Sequence, residues 1–152
     1  GWRFDAPPPA APASAPAPAA PSAETAQFVA EALRDARQPV LMFALEWCEF
    51  CWTLRRFFKQ IGVPLRSIDL DSVQYQAEGR GQRIRAALHA HTGINTIPQV
   101  FVAGRFIGGC TDTLAAWDDG RLQAWLRAAE VPFDTDARVD TRALLPNWVH
   151  SR

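Results

Sequence analysis

The stretch TIPQVFVAGRFIGGCTD, residues 96–112, sets two short apolar runs on either side of Ala103 and Gly104 and ends in Gly-Gly-Cys. QVFV and RFIG therefore read as two strands around a turn. What that hairpin joins lies upstream. PVLMFA, residues 39–44, is a continuous apolar run, the pattern of a strand buried on both faces. LRSIDL, residues 65–70, reads as a second strand. Between them Leu54, Phe57, Phe58 and Ile61 recur at helical spacing, closed by Gly62 and Pro64. A helix opens the region from Ser22, a residue that can cap it, with Phe28, Val29, Ala32 and Leu33 along one face. GQRIRAALHAHTG, residues 81–93, is another, with Ile84, Ala87 and Leu88 together and Gly93 as its stop. Residues 111–129, with Leu114, Trp117, Leu122, Trp125 and Leu126, hold one or two more. The order is α-βαβα-ββ-α. Crossover helices imply a parallel strand pair with the hairpin added at its edge, an α/β fold.

The chain of 152 residues has room for one domain and tails. Net charge is zero with both signs interspersed, which gives no electrostatic footprint for nucleic acid or an anionic membrane. Of the sixteen cations only Lys59 is not arginine. No apolar run is long enough for a membrane span, and the N-terminus is polar and Pro-rich where a secretory signal would be apolar. A monomer in the cytoplasm is the expectation. Residues 1–21 are read as a linker, since seven of the twelve prolines fall within residues 6–21 and Ala supplies most of the rest. Residues 22–130 are the expected domain and 131–152 a C-terminal tail. Its ALLPNWV, with Trp148, is apolar enough to dock on the domain or on a partner, or to be left free.

ALEWCEFCWTLRRFF, residues 44–58, sets Cys48 and Cys51 between the first strand and the following helix. At a helix start the unpaired N–H groups and the dipole favour a thiolate, and a second thiol one turn on can attack a mixed disulfide formed at the first. On this reading Cys48 is the nucleophile and Cys51 the resolving thiol. The same spacing serves zinc, but only Cys110, His89 and His91 remain as further ligands, so no metal is expected. An inert pair is the bland alternative.

The C-x-x-C, Thr-Ile-Pro, Gly-Gly-Cys and the order of elements together resemble glutaredoxins, which carry T-V-P-x-V-F-V, a turn and I-G-G-C-x-D; the resemblance covers roughly residues 38–129. It implies the thioredoxin-like (glutaredoxin) fold, with a central mixed four-stranded sheet flanked by helices. It implies glutathione as co-substrate, lying along Thr96 and Ile97. Pro98 would be the cis-proline facing the cysteines, turning Ile97 toward the ligand as a short strand. The γ-glutamyl end would meet Gly109, Cys110, Thr111 and Asp112, with backbone N–H groups for the carboxylate and Asp112 for the ammonium. Arg85, eleven residues before Thr96, would hold the glycine carboxylate. Each has a plainer reading: Arg85 as a solvated helix charge, Cys110 as a buried small side chain, Asp112 as a helix cap. Trp117 and Trp125 read as core; Trp47 and Trp52 read as the rim of the site.

The chain departs from the family at Leu45, where glutaredoxins commonly carry Lys, and at Glu49-Phe50, where they carry Pro-Tyr. Glu46 and Glu49 add like charge where a thiolate would develop, while Arg55 and Arg56 are expected to point away along the helix. The implied activity is a glutathione-dependent thiol–disulfide oxidoreductase acting on disulfide-bonded or glutathionylated proteins. One alternative is a tethered domain serving an enzyme fused upstream of the linker. Another is a glutathione-ligated [2Fe–2S] module, which the bulky acidic pair between the cysteines disfavours.

Overall fold

The computed structural model describes residues 20–149, so the expected linker lies almost wholly outside them. Helix α1, Ala23–Arg34, starts where Ser22 caps it, and Ser22 and Thr25 satisfy each other's backbone N–H groups. Strand β1 is Val40–Ala44, helix α2 Glu49–Gln60, strand β2 Arg66–Asp69 and helix α3 Arg80–Thr92. The hairpin forms as β3, Gln99–Val102, and β4, Arg105–Gly108. Helices α4, Cys110–Asp118, and α5, Arg121–Ala128, follow, separated at Gly120, whose φ of +90° suits only a residue without a side chain. A single turn of helix, α6, spans Thr141–Leu144.

The sheet order is β2-β1-β3-β4, with β1 parallel to β2 and antiparallel to β3. The hairpin thus adds to the free edge of β1, and β1 becomes central. Its continuous apolar run follows from this place. Val40, Met42 and Ala44 face one layer, with Leu54, Phe57 and Phe58 of α2, Leu114 and Trp117 of α4 and Leu122 and Leu126 of α5. Leu41 and Phe43 face the other, with Val29 and Ala32 of α1 and Ile84 and Leu88 of α3. Each fully buried Phe or Leu contributes about 1.5–3 kcal/mol relative to exposure. Among the described residues no helix is long and apolar enough to cross a membrane.

The segment after α5 packs on this same core. Val131 and Leu144 are buried in the layer of α2. The buried Thr53 hydroxyl of α2 donates to the Leu144 carbonyl at 2.8 Å, and the Thr141 hydroxyl hydrogen-bonds the Asp118 carboxylate at 2.7 Å. Asp140 caps α6 by accepting from the Ala143 N–H. Of the three fates left open for ALLPNWV, docking on the domain is the one observed.

Candidate active site

Cys48 stands at the N-cap of α2, in extended backbone, and its carbonyl accepts the first helical bond, from Trp52 N–H at 2.9 Å. It is half-buried, whereas Cys51, one turn on, is fully buried; both are free thiols. Burial pushes the Cys51 thiol up to about 12, with the neighbouring Cys48 adding to the rise. A hydrogen bond from the Leu45 backbone and the charge of Arg55 oppose it. Cys51 is therefore a protonated thiol at neutral pH, and Cys48 is the less buried of the two.

Arg55 does not point away along the helix as expected. Its guanidinium turns back to the Leu45 carbonyl at 3.1 Å and pairs with Asp69 at the end of β2 at 2.9 Å. The carboxylate across the strand captures it, so one cation sits under the cysteine turn. Asp71 accepts from the Glu46 N–H at 2.9 Å, which ties the loop before Cys48 to the chain after β2.

The Thr-Ile-Pro loop arrives opposite. The Ile97–Pro98 peptide bond is cis. Gln99, buried at the start of β3, donates its side-chain amide to the Ile94 and Thr96 carbonyls at 2.7 and 3.2 Å and so holds the loop from below. Ile97, Cys48 and Phe50 all pack against the α2-side core. The Gly-Gly-Cys loop closes the third side. A Cβ on Gly109 would come 3.3 Å from the Pro98 carbonyl oxygen, so the two loops touch. A Cβ on Gly108, at φ +109°, would meet the Asp112 side chain at 2.5 Å. Asp112 accepts from the Gly109 N–H at 3.0 Å and caps α4. Cys110, in the first turn of α4, is buried. Burial first, then the nearby Cys48 and Asp112 charges, push its thiol up to about 12.

Thus Cys48, Cys51, Ile97, Pro98, Gly109, Cys110 and Asp112 converge at one end of the sheet, with Thr96 on the Thr-Ile-Pro loop and Thr111 in the first turn of α4. Arg85 stands on α3, its guanidinium 2.8 Å from the Asn95 carbonyl, beside a groove of about 390 Å³ shared with Leu45, Asp71, Tyr75 and Gln82. Trp47 and Trp52 are exposed at the rim with ring centroids 5.8 Å apart. The sequence reading missed one member. Trp148, from the tail, donates its indole N–H to Glu49 at 2.6 Å and sets its ring edge-on to Phe50 at 5.5 Å. Both residues between the cysteines are held by the tail. The apolar character of ALLPNWV was the only signal of it.

A mixed four-stranded sheet between helical layers, with two thiols at the first crossover helix and a cis-proline opposite, defines a thioredoxin-like protein. Residues 40–107 match the glutaredoxin family model. The chain is 37% identical to glutaredoxin-C6 of Oryza sativa subsp. japonica over 94 residues, which cover 62% of this chain and 80% of that protein. It is 34% identical to monothiol glutaredoxin-S10 of the same organism, covering 63% of this chain and 56% of that longer protein. Among solved structures, a wheat glutaredoxin matches with TM-score 0.61 and 35% identity over 70% of this chain and 95% of that one. A buckwheat glutaredoxin–glutathione complex matches with TM-score 0.60 and 30% identity over 72% and 97% of the two chains. The chain belongs to the glutaredoxin family of thiol–disulfide oxidoreductases.

Proposed function

We propose that this protein reduces glutathionylated and disulfide-bonded proteins with glutathione as co-substrate, in a reducing cytoplasm and as a monomer. The observation that carries the reading is the unequal pair: Cys48 half-exposed at a helix start, Cys51 buried one turn below it. Cys48 thiolate attacks the glutathione sulfur of a protein–glutathione disulfide. The Cys48–glutathione bond forms, the old S–S bond breaks, and the protein thiolate leaves and takes a proton. A second glutathione thiolate then attacks the bound glutathione sulfur, forming glutathione disulfide and freeing Cys48. With a protein disulfide, Cys51 loses its proton and attacks Cys48 in the mixed disulfide, expelling the second protein thiol. Two glutathiones then reduce the Cys48–Cys51 bond. The first route needs Cys48 and glutathione and makes no use of the buried Cys51.

Glutathione is supported by the buckwheat complex and by the contact of the two loops, Gly109 against Pro98. In this reading Thr96 and Ile97 pair with the peptide, the N–H groups of Cys110 and Thr111 receive the γ-glutamyl carboxylate, and Gly109 leaves room for it while its own N–H is held by Asp112. Asp112 takes the ammonium and Arg85 the glycine carboxylate. The test is turnover of a glutathionylated protein. Cys48→Ser abolishes it and Cys51→Ser retains it. Full activity in Cys48→Ser overturns the reading. Arg85→Ala raises the KM for glutathione several-fold at similar kcat; an unchanged KM removes Arg85 from the site.

A further inference from the structure

The tail does more than cover core. Between α2 and the tail runs a groove of about 470 Å³, floored by Thr53 and walled by Trp52 and Trp148, with Glu49 at one end and Arg56 at the other. It is distinct from the groove beside Arg85, which shares none of these residues. All three exposed tryptophans among the described residues, Trp47, Trp52 and Trp148, gather here, 80%, 48% and 59% accessible. Scattered exposed apolar residues are ordinary; a cluster beside a reactive group marks an interaction surface. The groove is also polarised. Glu49 accepts the Trp148 indole hydrogen but has no ionic partner among the described residues, and neither has Arg56.

We infer that this groove docks an extended segment of the protein substrate, with a cation next to the target cysteine, apolar side chains after it and a carboxylate three residues beyond the cation. The inference rests on the proposed oxidoreductase function and names the substrate class it prefers. Glu49 adjoins Cys48, so the residue beside the substrate cysteine meets its carboxylate. Arg56 is seven positions on in α2, about 10 Å along the axis. An extended strand covers that distance in roughly three residues. The indole walls between the charges suit leucine-sized side chains.

The test uses two glutathionylated peptides of identical composition, Cys-Lys-Leu-Leu-Glu and Cys-Glu-Leu-Leu-Lys, with the full chain and with the double variant Glu49→Arg/Arg56→Glu. A lysine beside cysteine also makes it a better leaving thiol, so the deciding quantity is the change in preference between the two proteins. The ratio of kcat/KM for the first peptide over the second is expected to fall about tenfold in the double variant, since two attractive pairs become repulsive. The same ratio in both proteins overturns the inference. If neither protein turns over either peptide, the oxidoreductase reading itself fails. The groove is then judged by titrating the same peptides, with Ser in place of Cys, against the indole N–H resonances of Trp52 and Trp148. Shifts at lower concentration of the lysine-first peptide support it, and unmoved resonances overturn it.

Discussion

Burial is the larger cause holding Cys51 and Cys110 protonated, and it pushes both up to about 12 from an ordinary value of 9.0. Between about pH 9 and 12 the folded chain keeps protons that the unfolded chain has released. Each thiol's contribution is thus complete below pH 9 and is withdrawn as pH rises through that window. The urea midpoint should fall above pH 9, and less steeply in Cys51→Ala and in Cys110→Ala. An equally steep fall in both variants contradicts the burial argument. The same difference in access predicts that iodoacetamide at pH 8 labels Cys48 alone in the folded chain and all three cysteines in urea, read by intact mass. Labelling of Cys110 in the folded chain would contradict its buried place against Cys48.

Between elements, close approaches decide the geometry. Gly81, in the first turn of α3, leaves no room for a side chain: a Cβ there would overlap the Leu70 carbonyl oxygen just past β2. This approach brings α3, with Arg85, up to the end of β2. Gly81→Ala should cost about 1–3 kcal/mol in a denaturant titration, as overpacked sites do. A cost near zero would mean that α3 does not sit this close. The elements themselves were legible because each carries a local signal: the Ser22 cap, the continuous apolar run of β1, the Ala103–Gly104 turn and the Gly93 stop. Of the candidate site, the cysteine pair and the two loops were legible for the same reason, since their residues are close in sequence. The reach of Arg55 back to Asp69 was not, because it depends on which strand end the helix passes. Nor was Gln99's support of the Thr-Ile-Pro loop, since a glutamine in an apolar strand gives no sign of whether it faces a loop or solvent.

At the scale of the whole molecule, the tail and the domain share one core. Leu144 is 6% exposed and lies 91 positions from Thr53, the residue that bonds its carbonyl. Nothing local in a polar stretch ending in ALLPNWV says which surface receives it. Leu144→Ala should cost about 2–3 kcal/mol, by lost burial and the cavity left behind. That is a large fraction of the roughly 5–15 kcal/mol that holds a domain together. The Tm should fall by roughly 5–12 °C in a single transition. A separate early transition, with the domain's Tm unchanged, would show that the tail folds and unfolds by itself. The central claim is that Cys48, set at the start of α2 above its buried partner, is the sulfur that carries glutathione. Incubating Cys51→Ser with glutathione disulfide and mapping the adduct by peptide mass spectrometry tests it most directly. The account predicts one glutathione per chain, on Cys48, released by added glutathione. An adduct confined to Cys110, or none, would contradict it.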